Sequence, residues 1–273
     1  MHLPLEIENA GYRLLACDTT ASTNDDALAA ARRGDPGRLW ITARRQTAGR
    51  GRQGRSWMSP EGNLYASLLL IDPCEPVLAP QLGFVAGVAL HEAVSEVITS
   101  RLPHLALKWP NDLLLGRAKV AGLLLEAHHL GMMRAFAVVI GVGVNVATAP
   151  EDVPYPAAAL RSVSPDLEVE ALLHALACSF ARHFEAWRSA AVSDAAERFA
   201  PIRREWTRRA AGIGEPVTVR LPSGERRGRF AGLDSVGRLE LQTTFGLELI
   251  DAGDLYFPHL RSDLADQPAT LPR

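Results

Sequence analysis

The chain has 273 residues, of which 47% are hydrophobic and 22% charged, and a formal net charge of -2. That length allows one large domain and a small one, and the composition excludes disordered and fibrous classes. The near-neutral charge argues against a dedicated nucleic-acid binder, although residues 32–55 hold eight arginines against one acid, Asp35.

The first residues, MHLPLEIENAGYRLL, lack the charged start and apolar core of a signal peptide. STNDDALAAARRG reads as a capped helix, with Ser22 or Thr23 at the N-cap, Asp25 and Asp26 in the first turn and Gly34 past the end. LWITA (39–43) and NLYASLLLI (63–71) read as strands joined by an arginine-glycine loop. Residues 82–98 place Phe84, Val85, Val88, Ala89 and Val94 at helical spacing, which predicts a core helix. LALKW, DLLL and KVAGLLLEA follow as short strands punctuated by Pro110 and Gly116, and AFAVVIGVGVNV as a buried strand. The longest apolar stretch, 135–149, is too short to span a bilayer. From 170 to 209 Leu172, Leu173, Leu176, Phe180, Phe184 and Trp187 make one helical apolar face. After Gly212 short runs separated by turns predict a small β-barrel, and 262–273 reads as a disordered tail. Cys17, Cys74 and Cys178 form no CxxC or zinc-type pattern. Buried free thiols in a reducing cytoplasm are the expectation.

Lysine and arginine together number 29, yet the only lysines are Lys108 and Lys119, close together in LKWPNDLLLGRAKVAG. A compact point charge differs from a planar fork, so a site that places one small cation against an oxyanion can require lysine. Chance sparing in an arginine-biased chain is the competing reading for Lys108.

Gly49, Gly51 and Gly54 satisfy GxGxxG, but Pro60 and Gly62 prevent the helix that a dinucleotide fingerprint must open. The unit is strand, long loop, strand. Arg50, Arg52 and Arg55 instead suggest a loop that closes over phosphate or carboxylate. Mutual repulsion among them predicts a mobile loop, Gln46 to Trp57, until an anion arrives.

Together STN at 22–24, QTAGRGRQGRSW at 46–57, KWPND at 108–112, KVAG at 119–122 and GVGVN at 141–145 resemble the bacterial biotin protein ligases, in order from about residue 12 to 260. The resemblance implies an α+β fold: a mixed β-sheet catalytic domain packed with helices over 12–211, then an SH3-like β-barrel over 212–261. It leaves no room before residue 12 for a winged-helix DNA-binding module, so the form without a repressor domain is expected. It implies a two-step acyl transfer, in which biotin and ATP with Mg²⁺ give biotinyl-5'-adenylate, and a lysine of a biotin carboxyl carrier protein then takes the biotin.

The residues suit that chemistry. Ser22, Thr23, Asn24 and Gln46 offer donors and acceptors to a ureido ring. Arg50 with the backbone of Gly49 and Gly51 would line the biotin tail, and Gly122 is a further candidate biotin contact. Lys119 would bridge carboxylate and α-phosphate, two anions that must be brought within bonding distance. Arg52 and Arg55 would hold the triphosphate, with Arg52 also at the biotin end, and Trp57, Asn111 and Asn145 are the other candidate ATP contacts. Asp112 would hold Mg²⁺ or accept the proton of the incoming lysine, against a plain reading as a turn cap after Pro110. One departure is visible: the family's Thr-Ser-Leu segment is here Ala158, Ala159 and Leu160. Two rival readings are a lipoate or octanoate ligase, whose substrate loop GRGRQGR does not match, and a noncatalytic arginine-rich nucleic-acid module, which lacks interleaved aromatics.

Overall fold

The computed structural model describes residues 1–98, 104–131, 135–189 and 194–257. The predicted tail at 262–273, and the end of the predicted barrel at 258–261, lie outside the described residues. Two sheets organise the chain. The larger is built from β1 (Arg13–Thr20), β2 (Leu39–Gln46), β3 (Leu64–Ile71), β4 (Leu105–Lys108), β5 (Asp112–Leu115), β6 (Ala118–Leu130) and β7 (Ala135–Val144), in the order β1-β2-β3-β7-β6-β5-β4. Only the β1/β2 pairing is parallel, so the sheet is mixed.

Alternation along its central strands sorts side chains between two faces. Leu64, Ala66, Leu68 and Leu70 of β3, with Val138, Ile140, Val142 and Val144 of β7, join the main core. That core is covered by α3 (Ala79–Val97), α4 (Val169–Arg188) and α5 (Ala195–Arg208), after a short α1 (Leu5–Asn9) that packs on α4. By length and apolar character α3 would also suit a membrane span, yet here the sheet, α4 and α5 enclose it. The other face carries α2 (Thr23–Arg32), whose Ala27, Ala30 and Ala31 pack on Leu39, Ile41, Leu69, Ala137 and Val139. Small alanines let α2 sit close to the sheet, and its N-terminus points the STN segment into the space beyond.

The helical run predicted over 170–209 is thus two helices. The predicted helix at 82–98 starts three residues earlier than its periodicity shows, because Pro80 is tolerated in a first turn. The C-terminal sheet holds β8 (Pro216–Leu221), β9 (Gly224–Leu233), β10 (Leu239–Thr243), β11 (Gly246–Ile250) and β12 (Asp254–Tyr256), antiparallel in the order β11-β10-β9-β8-β12. This arrangement is consistent with an SH3-like unit. It shares the main core, since Phe230, Leu239, Leu241 and Leu255 belong to the same buried cluster as α3 and α5.

Candidate active site

On the α2 face of the large sheet lies a cavity of about 300 Å³, whose lining extends to Asp254, Leu255 and Tyr256 of β12. Its floor is glycine. Gly122 of β6 pairs directly with Gly143 of β7, and Gly141 pairs with Ser67 of β3. A Cβ on Gly143 would come within 2.6 Å of the Trp57 ring, and one on Gly141 within 2.3 Å of Asn24 Oδ1. These glycines lie inside the strands, as the sequence reading of AFAVVIGVGVNV and KVAGLLLEA places them, and let Trp57 and Asn24 rest on bare backbone.

One end of the cavity is neutral and polar. Gln46 Oε1 accepts from the Thr23 backbone N–H at 2.9 Å and lies 3.1 Å from Thr23 Oγ1, while Gln46 Nε2 donates to Ser59 Oγ at 3.0 Å. Ser59 in turn donates to the Trp57 carbonyl at 2.9 Å. Asn24 Nδ2 donates to Glu126 Oε2 at 2.6 Å. Ser67 Oγ lies 2.7 Å from Thr23 Oγ1 and 2.6 Å from Asn24 Oδ1. The Ser22 hydroxyl makes no capping bond although Ser22 occupies the N-cap, so helix capping does not consume it.

The other end is cationic. Asp112 takes Lys119 Nζ at 2.6 Å and Lys108 Nζ at 3.6 Å, one ammonium on each oxygen. Lys119 also stands over the Trp57 and Tyr155 rings, 5.4 and 5.6 Å from their centroids. Burial pushes the Lys108 ammonium below the ordinary lysine range, and the Asp112 carboxylate opposes that shift. The Lys119 backbone is pinned by Pro156 and Ala158.

The arginine-glycine loop meets both ends. Each of its three guanidinium groups is paired with protein. Arg50 forms a fork with Asp25 at 2.6 and 2.7 Å, Arg52 donates to Gly253 O at 3.2 Å and Asn111 Oδ1 at 3.3 Å, and Arg55 pairs with Asp254. Gly49 has no room for a Cβ, which would lie 2.6 Å from both Ser59 Oγ and Trp57 O.

Most of the expected site residues converge on this cavity: Ser22, Thr23, Asn24, Gln46, Arg50, Gly51, Arg52, Arg55, Trp57, Asn111, Asp112, Lys119 and Gly122. Gly49, within the loop, does not line the cavity. Asn145 does not line the cavity either; it is buried, its Nδ2 donating to Ala158 O at 3.3 Å. Sequence reasoning missed Ser67, Glu126, Asp254 and Tyr256, and left Lys108 without a role. Ser67 carries a local signal, being the lone small polar residue in the apolar run of β3; Glu126, Asp254 and Tyr256 reach the site only through the tertiary fold.

A model of the biotin/lipoate A/B protein ligase family matches residues 18–145, and one of the biotin protein ligase C-terminal domain matches 212–257. The chain is 40% identical over 244 residues to the biotin-[acetyl-CoA-carboxylase] ligase of Paracoccus denitrificans, covering 87% of this chain and 98% of that one. The chain belongs to the biotin protein ligase family. The corresponding ligase of Mycobacterium tuberculosis is 35% identical, with 92% and 91% of the two chains covered. Of the Bacillus subtilis bifunctional ligase/repressor BirA, 31% identical, the alignment covers 76%. Among solved structures, the Aquifex aeolicus biotin protein ligase in complex with biotin and ATP superposes with a TM-score of 0.74 at 27% identity, over 89% of this chain and 97% of that one.

Proposed function

We propose that this chain is an ATP-dependent biotin protein ligase. The observation that carries the reading is the division of one cavity into a neutral, hydrogen-bonding end and a cationic end about a glycine floor. A ureido ring needs both donors and acceptors, which Ser22, Thr23, Asn24 and Gln46 supply; a lipoyl dithiolane offers no such hydrogen bonds and would strand them. In the first step a biotin carboxylate oxygen attacks the α-phosphorus of ATP and pyrophosphate leaves. Lys119, beside the cavity floor, stabilises the charge that gathers there, while Arg52 and Arg55 exchange their protein partners for phosphate oxygens. In the second step the amine of a carrier lysine attacks the anhydride carbonyl, AMP leaves, and the amine proton passes to a base. The carrier is a biotin carboxyl carrier domain of the kind implied by the names of the relatives.

Magnesium would enter with the nucleotide phosphates. The two carboxylates on the cavity wall, Asp112 and Asp254, already face cations, so these side chains do not form a magnesium cage. We assign Asp112 instead to holding the two lysines. The three thiols, expected to be buried, are free but only half-buried, and free thiols suit a reducing cytoplasm. Incubation with ATP, Mg²⁺ and labelled biotin or lipoate tests the reading: pyrophosphate and an adenylate should form from biotin, and an adenylate from lipoate alone would overturn it.

A further inference from the structure

The neutral end of the cavity contains more close oxygen contacts than it has hydroxyl protons, and this fixes its polarity. Ser67 Oγ is within 2.7 Å of both Thr23 Oγ1 and Asn24 Oδ1, and Thr23 Oγ1 is 3.1 Å from Gln46 Oε1. Ser67 and Thr23 carry one proton each. Asn24 has two faces, and the side that meets Glu126 Oε2 at 2.6 Å must be the amide nitrogen, because a carboxylate only accepts. Asn24 Oδ1 therefore faces Ser67 and has no proton to give. The Ser67 proton closes that contact, and the Thr23 proton closes the 2.7 Å contact to Ser67. Gln46 Oε1 remains satisfied by the Thr23 backbone N–H at 2.9 Å. Any other assignment leaves two oxygens facing each other within 2.7 Å without a proton, at a buried site where that is costly.

We infer that Glu126 is a specificity-determining positioning residue: through Asn24 and Ser67 it orients the Thr23 hydroxyl so that its free lone pair, not its proton, faces the cavity. A ring presented there must donate, as a ureido N–H does. Glu126 does not line the cavity, and Ser67 does not either, so their effect is exerted through Thr23. The inference rests on the biotin ligase reading and sharpens it to one hydrogen bond of defined direction.

The test measures adenylation by pyrophosphate release with three probes: biotin and its two cyclic carbamate analogues, in each of which one ring N–H is replaced by oxygen. The wild type should form the adenylate from biotin and discriminate at least tenfold in KM against one of the carbamates. Glu126→Gln can donate as well as accept, so the Asn24 amide loses its enforced orientation. Its KM for biotin should rise about tenfold with kcat changed less than twofold, and the discrimination against that carbamate should shrink to a few-fold. Ser67→Ala, which breaks the chain without altering a charge, should give the same signature and decides the matter if Glu126→Gln fails to fold. Wild-type KM and carbamate discrimination in a folded variant would overturn the positioning role while leaving the ligase reading intact. No adenylate from biotin in the wild type would instead overturn the ligase reading.

Discussion

Lys119 occupies a space measured for an ammonium. Its Nζ is 2.6 Å from Asp112 and would lie 3.3 Å from a Cβ on Gly122, with Trp57 and Tyr155 on either side. A guanidinium is broader and its charge is spread over a fork, so it cannot replace the point charge in that enclosure. Lys119→Ala should lower the adenylation rate by ~10²-fold, and Lys119→Arg should fail to restore it. Single-turnover adenylation measures both, and full activity in the arginine variant would refute the argument. Lys108 yields a pH prediction. Its folded-state pKa lies below the ordinary value of 10.5, with burial as the main cause, so between the two values the unfolded chain binds more protons than the folded one. Stability contributed by this group therefore rises with pH through that window and is lost as pH falls below it. In Lys108→Met that component should vanish. The difference in melting temperature between wild type and variant, followed from pH 8 to 10.5, should shift in favour of the wild type as pH rises, and a flat difference would exclude a depressed Lys108.

At the scale of elements, the arginine-glycine loop is latched onto both α2 and β12. The Arg55–Asp254 pair joins a half-exposed guanidinium to a largely buried carboxylate, so it contributes no more than ~1 kcal/mol. Asp254→Asn should therefore raise tryptic cleavage after Arg52 or Arg55 by about 2- to 5-fold in the ligand-free protein. Unchanged cleavage would mean that the Arg50–Asp25 fork alone holds the loop. Which elements the sequence reveals follows the same physics of contact. β3, β6, β7, α3 and α4 bury long apolar faces, and periodicity finds them. β1, RLLACDTT, is a mostly exposed edge strand without alternation, and α1 is a single short turn, so neither leaves a readable pattern. Strand order is illegible for another reason: β7 sits between β3 and β6, and that pairing is made across more than sixty residues of chain. The motifs located most of the cavity wall because each is local. Glu126 and Asp254 were missed because their partners, Asn24 and Arg55, are about 100 and 199 residues away.

The two sheets are joined at a turn that reaches the cavity wall through one tryptophan. The turn between β9 and β10 presses Gly237 into the main core, where a Cβ would lie 2.7 Å from the Phe84 ring and 3.5 Å from Phe199, at a φ of +94°. The Gly237 carbonyl accepts from Trp109 Nε1 at 3.3 Å, and Trp109 lies between Lys108 and the segment that carries Asn111 and Asp112. One turn of the C-terminal sheet thus supports the segment from which Asp112 holds both cavity lysines, while β12 of the same sheet holds Arg52 and Arg55. Gly237→Ala would combine a strained left-handed backbone with overpacking, a cost of roughly 2–4 kcal/mol. Because both sheets share one core, a single unfolding transition should move down by about 5–10 °C rather than a separate C-terminal transition appearing. At a temperature where the variant remains folded, displacement of Trp109 should weaken the Lys108–Asp112–Lys119 arrangement and lower kcat for adenylation, with KM for biotin little altered because the neutral end lies on the far side of the glycine floor. Calorimetry and steady-state kinetics on the same preparation separate the two effects: a lowered melting temperature with unchanged kcat would show that the C-terminal sheet stabilises the protein without positioning its lysines.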